Sequence, residues 1–229
     1  MWVPSSDAGT AARIEAALAT VGIAARVDAE PEGDEWRDGL RRHHQPIEVE
    51  GRVRVRPPWV APIDGPIDIV IDPAMAFGTG QHATTRGCLA LLVDGAGGSL
   101  LDVGCGSGVL AIGARKLGYA PVTAVDNDPL AVEATSGNAA ANGVDLAVAL
   151  AESGRDPLPA AQTVVANILS IPVIALAEQL PDPLPRRAVL SGFRPAEAGA
   201  VVAAWARRGF AQDRRIDEDD WTAVRLVRR

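Results

Sequence analysis

The sequence predicts an α/β protein: a mostly parallel central sheet, finished by an antiparallel C-terminal hairpin, with a small α+β appendage at the N-terminus. Three observations lead there. From residue 100 onward, short apolar segments alternate with helical stretches of roughly 10 to 15 residues, the spacing of right-handed βαβ units. Aromatic residues make up only 4% of the chain, so the core must be filled by Ala, Val, Leu and Ile, which suits helices packed closely on a parallel sheet. With 229 residues, 48% of them apolar and 22% charged, the chain is long enough for one full domain plus a small addition and too apolar for disorder.

The elements follow in order. Residues 1 to 30 read as strand, helix, strand: Met1 to Pro4, an Ala-rich helix capped by Asp7 or Thr10 and ended by Gly22, then Ile23 to Val27. Ala29 to Asp38 is charged and broken by Pro31 and Gly33, a linker leading into a short helix through Leu40. Between Pro46 and Arg56, Ile47, Val49, Val53 and Val55 alternate with charged residues, the pattern of a half-exposed strand. The expected organisation is therefore a unit at 1–30, a linker helix and strand at 31–59, and the main domain at 60–229.

In the main domain, Ile67 to Ile71 forms a short strand, Asp72 to Thr85 an irregular run, and about Thr84 to Val93 a helix. Strands are then expected at Leu100 to Val103, Val122 to Asp126, Leu146 to Leu150, Val164 to Asn167 and Ala188 to Ser191, with helices near 108–117, 129–142, 171–180 and 195–208. Ala211 to Ile216 and Thr222 to Val227 are two further strands joined by the acidic turn Asp217-Glu218-Asp219-Asp220, and they should pair antiparallel.

Composition excludes several function classes. No apolar run approaches the roughly 18 residues a membrane span needs, and the N-terminus lacks a basic stretch followed by an apolar one, so a cytoplasmic protein is expected. Cys88 and Cys105 are too few for a disulfide framework and fit no zinc-ligand spacing; they read as small buried residues, and no metal is expected. The net charge of −7 is concentrated in residues 60 to 205, which by themselves carry −7, whereas 206 to 229 carry +2. That field disfavours naked nucleic acid as a partner and is compatible with a basic one.

Three constellations carry chemistry. In Leu101-Asp102-Val103-Gly104-Cys105-Gly106-Ser107-Gly108, a buried strand runs into a glycine turn and then a helix, so that the backbone turns sharply and the helix amides face the crevice. Asp126 lies 18 residues beyond Gly108 at the end of the next strand, where it can accept both hydroxyls of a ribose. A dinucleotide fingerprint requires Gly or Ala where Val109 stands, which argues against a nicotinamide-binding oxidoreductase. The G-x-G-x-G turn preceded by Asp102 resembles instead the S-adenosylmethionine site of class I methyltransferases. Second, Asn167-Ile168-Leu169-Ser170 ends the fourth of these strands and so lines the same crevice. Third, the run from Phe77 through Thr79 and His82 to Thr85 either closes over a ligand or is a connecting loop with Thr84 or Thr85 as helix cap.

These motifs, with Val125-Asp126-Asn127-Asp128-Pro129 between them and Glu35-Trp36, Arg56-Pro57-Pro58-Trp59, Leu190-Ser191-Gly192 and Asp220-Trp221-Thr222 around them, resemble the bacterial ribosomal-protein methyltransferases of the PrmA type over about residues 35 to 229. The resemblance implies a Rossmann-like fold and S-adenosylmethionine as methyl donor, leaving as S-adenosylhomocysteine. It implies methyl transfer to amino groups, a lysine side chain or an N-terminus, of a large-subunit stalk-base protein; a related protein-lysine or small-molecule amine methyltransferase is the alternative. Thr85, Gly104, Asp126 and Asn167 fall where the family contacts the donor, Asp102 and Gly106 belong to the same turn, and Phe77 and Thr79 lie in the loop that folds over it. Asn167 is expected to hold and aim the acceptor amine, with bulk solvent sufficient as base and His82 the competing candidate. Family members carry a complete βαββαβ recognition domain, of which residues 1 to 30 supply about half. A catalytically silent binding module would be expected to have lost the glycine turn or Asp126, and both are intact.

Overall fold

A computed structural model of the chain describes residues 15, 18–20, 44–73, 80–95 and 97–228. The chain divides into two units, Met1–Leu40 and Arg41–Arg229. In the first unit Glu15 and residues 18–20 are helical; the strands expected within 1–30 and the helix through Leu40 lie outside the described residues.

The second unit begins with a three-stranded sheet of β1 (Ile47–Val49), β2 (Val53–Arg56) and β3 (Ile67–Val70), in which β1 pairs antiparallel and β3 parallel with β2. Here the structure corrects the expectation of one strand over 46–56. Glu50 and Gly51 adopt positive φ (53° and 61°), and Arg52 N donates to Val49 O, so the chain reverses in a tight turn. The apolar alternation survives because Ile47 pairs with Val55 and Val49 with Val53, placing all four on one face. A bidentate Arg56–Asp68 pair, 2.8 Å at its shortest, ties β2 to β3.

A seven-stranded sheet follows. Its strands are β4 (Gly98–Val103), β5 (Tyr119–Asp126), β6 (Ala147–Leu150), β7 (Thr163–Asn167), β8 (Arg187–Phe193), β9 (Phe210–Glu218) and β10 (Trp221–Arg228), in the order β6-β5-β4-β7-β8-β10-β9. The first five run parallel; β10 is antiparallel to β8, and β9 antiparallel to β10. The apolar β10 is thus inside the sheet, while β9, rich in Asp, Arg and Glu, guards the edge with charge.

Five helices cover the two faces: α1 (Ala83–Val93), α2 (Val109–Lys116), α3 (Pro129–Ala141), α4 (Ser170–Gln179) and α5 (Ala198–Ala206). Leu100, Val122, Ala124, Val165 and Val189 pack with α1 and α2 on one face. Leu101, Val103, Val125, Val164 and Leu190 pack with α4 and α5 on the other, where buried Trp205 donates to Val173 O. Strict alternation along parallel strands produces this division. The turn into β10 is shorter than expected: Glu218 pairs with Trp221, leaving Asp219 (φ 53°) and Asp220 at the tip.

Candidate active site

Strand order reverses between β4 and β7, since the chain runs outward from β4 through β5 to β6 and then returns to β7 on β4's other side. In such sheets the crevice at the strands' carboxyl ends, at this switch point, is where ligands bind. Register places the expected residues there in one transverse row. Val103 pairs with both Val125 and Ala166, so Gly104 stands between Asp126 and Asn167, and Asn167 pairs in turn with Ser191. Parity puts Asp126 and Asn167 on the sheet face covered by α1 and α2, that of Ala124 and Val165.

The glycine turn is built for close approach. Gly104, Gly106 and Gly108 all have positive φ (75°, 54° and 80°), a region costly for other residues. Gly104 and Cys105 donate to Val125 O, at 2.9 and 3.1 Å, holding the turn against β5. A Cβ on Gly104 would come within 2.4 Å of the Ile168 side chain, and one on Gly108 within 2.8 Å of Thr135. The turn is therefore packed on both sides.

Asp126 accepts from Gly106 N at 2.9 Å through Oδ2 and from Asp128 N at 3.0 Å through Oδ1. Each oxygen retains a second acceptor position, and the spacing of two carboxylate oxygens matches vicinal hydroxyls. The same segment starts α3, where Asp128 caps Leu130 N with Pro129 in the first turn.

Asp102 has a different place. It is completely buried, and its Oδ2 accepts from Ala111 N at 3.0 Å in the first turn of α2. Gly108, the residue that starts α2, has no side chain to cap it, and Asp102 supplies an acceptor from the strand below. Burial pushes the Asp102 carboxyl up to about 7, the Ala111 amide opposing and the Asp126 charge reinforcing. Asp102 thus shapes the turn from beneath. Burial likewise raises the thiol of Cys105 to about 12 and that of Cys88 well above its ordinary range, so both are inert packing residues as expected.

On the other side of Gly104, Asn167 Nδ2 donates to Thr85 Oγ1 at 3.3 Å across 82 residues of sequence. Thr85 is buried in the first turn of α1. The hydroxyl engages the amide nitrogen, so the carbonyl oxygen is the acceptor end of the Asn167 side chain. Helix α1 is capped by His82, whose Nδ1 accepts from Thr84 N and contacts Thr84 Oγ1 at 2.7 Å, whereas Thr84 and Thr85 lie inside the helix. The His82 ring also meets Trp221 edge-on at 4.9 Å. Phe77 and Thr79 lie outside the described residues.

Sequence reasoning missed Thr135, Asn138 and Asn142. Thr135 donates to Gly106 O, Asn138 to Ser107 O and Asn142 to Val70 O. Their signal was present: polar residues spaced three and four apart on a helix whose other buried residues are alanine.

Comparison with known proteins identifies relatives of the chain. Residues 7–229 match the family model described as Ribosomal protein L11 methyltransferase (PrmA). A ribosomal protein L11 methyltransferase of Laribacter hongkongensis is 37% identical over 235 residues, covering 98% of this chain and 77% of the relative. One from Azotobacter vinelandii is 41% identical over 203 residues, covering 85% and 68%. Among solved structures, a ribosomal protein L11 methylase from Lactobacillus delbrueckii subsp. bulgaricus superimposes with a TM-score of 0.71 at 27% identity, covering 81% of this chain and 99% of that one. On the strength of a match that runs nearly end to end and includes the whole crevice, the chain belongs to the ribosomal protein L11 methyltransferase family.

Proposed function

We propose that this protein transfers methyl groups from S-adenosylmethionine to amino groups, a lysine side chain or an N-terminus, of a large-subunit ribosomal protein of the L11 kind. The observation that carries the reading is the row Asp126, Gly104, Asn167 across the switch point, with the Asn167 amide oriented by Thr85. Family membership supports the reaction class, and the relatives' names support the substrate class. The crevice suits such a donor: the positive-φ turn admits close backbone approach, and Asp126 keeps one acceptor position per oxygen for ribose hydroxyls. When bound, S-adenosylmethionine supplies a methyl group already activated on a positively charged sulfur.

What falls to the chain is placement. An ammonium has no lone pair, so the acceptor must enter neutral; desolvation in the crevice lowers an amine's pKa, and solvent takes the proton. The Asn167 carbonyl oxygen accepts an amine hydrogen and so aims the nitrogen lone pair. His82 is engaged as helix cap and against Trp221, which supports a structural role for it. Asp102 holds α2 and the turn from below.

The test is incubation with labelled S-adenosylmethionine and ribosomal proteins from cells lacking this gene, with mass spectrometry of every labelled species. One labelled large-subunit protein carrying methylated amines is expected. Donor binding without any labelled ribosomal protein would overturn the substrate assignment, and absence of donor binding would overturn the reaction.

A further inference from the structure

We propose that Asn138 is a positioning residue for the donor site: its side-chain amide locks the glycine turn to the end of β3, so that the two segments respond together when donor binds. The inference rests on the reading of that turn as the donor site. Asn138 is 4% exposed and lies on the inner face of α3. Its Nδ2 donates to Ser107 O at 2.9 Å, and its Oδ1 accepts from Asp72 N at 3.1 Å. The partners dictate the orientation, because a carbonyl only accepts and an N–H only donates; a flipped amide would oppose both.

The neighbours on the same face divide the task. Thr135, three residues earlier, donates to Gly106 O at 3.0 Å and contacts Cys105 Sγ, so it grips the turn alone. Asn142, four residues later, accepts from Val70 N at 2.9 Å and donates to Val70 O at 2.6 Å and to Asn138 O at 2.8 Å, so these bonds grip β3 and α3 and no atom of the turn. Among the described residues, Asn138 is the side chain whose hydrogen bonds join the turn to the chain beyond β3. The bond to Ser107 O is buried and that to Asp72 N part-buried, so breaking either one costs free energy. A displacement of Ser107 O is therefore felt at Asp72 N, and the coupling is reciprocal. Asp72 stands two residues beyond the end of β3. Asn138 thus connects the donor turn with the chain just beyond β3.

The experiment compares the full chain with Asn138→Ala, Asn138→Asp and Asn142→Ala, using S-adenosylhomocysteine as probe. Calorimetry reads its Kd, urea denaturation reads stability, and amide hydrogen exchange reads the Asp72 N–H with and without the probe. Asn138→Asp keeps side-chain volume and an oxygen toward Asp72 but loses the donor to Ser107, so it carries the test if the alanine variant fails to fold. Both Asn138 variants should weaken binding about tenfold. Asn142→Ala should lower the urea midpoint while holding Kd within about twofold. The probe should slow exchange at Asp72 in the wild type and in Asn142→Ala, and no longer in Asn138→Asp. Wild-type affinity in Asn138→Asp, or probe-linked protection of Asp72 retained there, would overturn the coupling. A wild-type protein that binds no S-adenosylhomocysteine would be a separate result, removing the donor-site reading and this inference with it.

Discussion

At the residue scale, Asp102 and Asn167 are set apart by their hydrogen bonds: Asp102 accepts from the first turn of α2, whereas Asn167 donates to Thr85 in α1. Under the proposed function, Asn167→Ala removes the group assigned to the acceptor amine while leaving the glycine turn and Asp126 in place. Its kcat should fall about 100-fold with donor Kd changed less than about threefold, because misplacement of a reacting atom costs on that order. Steady-state kinetics with calorimetry checks this, and equal loss in both would reassign the residue to donor binding. Asp102 makes a different prediction. Its folded pKa, about 7, exceeds the ordinary 3.8, so the native state holds a proton that the unfolded chain has lost between those values. Stability from this group is complete below pH about 4 and disappears as pH rises through about 7, a swing whose upper limit is about 4 kcal/mol. Asp102→Asn, which can still accept from Ala111, should flatten the dependence and raise stability at pH 8. Urea unfolding at pH 5 and 8 decides, and an unchanged slope would sink the assignment. Asp126 and Asn167 were legible in the sequence because each ends a strand, and Gly104 because it directly follows one, where position and crevice coincide. The buried role of Asp102 was not, because a strand residue two before a glycine reads alike whether it faces a ligand or a helix terminus.

At the element scale, helix and strand positions were largely readable from periodicity, and the misses have physical causes. The β1–β2 hairpin was hidden because its paired residues preserve the parity of the alternation, and Glu50-Gly51 is an uncommon turn pair. The cap of α1 was missed because threonine is the better general capper, yet His82 stands at the extended position and the two threonines inside. That β10 rather than β9 docks on β8 follows from which strand is apolar, a signal present in the sequence but overshadowed by the local hairpin. Contact between elements yields a further prediction at Gly192. Its φ is 96°, and a Cβ there would come within 2.2 Å of Ile168 O and 2.8 Å of Ile168 N. Those are backbone atoms of the segment carrying Asn167. Gly192→Ala should therefore cost about 2–3 kcal/mol in urea unfolding and reduce kcat at temperatures where the variant is fully folded. Full activity in the folded variant would show that β8 does not hold the Asn167 segment in place.

For the whole molecule, the two units make a testable partition. Residues 41–229 contain the sheet and every described residue of the crevice. Expressed alone, they should fold cooperatively, bind S-adenosylhomocysteine as the full chain does, and show at least a tenfold higher KM for the ribosomal protein. A loss of donor affinity would place part of the donor site in residues 1–40. The crevice was legible in the sequence because α/β sheets assemble their sites from strand termini, whereas the strand-helix-strand pattern expected within residues 1–30 names no ligand. One consequence of the transverse row Asp126, Gly104, Asn167, Ser191 concerns how such a protein can vary. The row runs across the strands, so a single-residue insertion inside β7 would exchange Asn167 for its neighbour on the opposite face. Segments at the far edge of the sheet, such as that between α3 and β6, contribute no residue to that row. The enzyme is in this sense phase-locked along its strands and elastic at their amino-terminal ends.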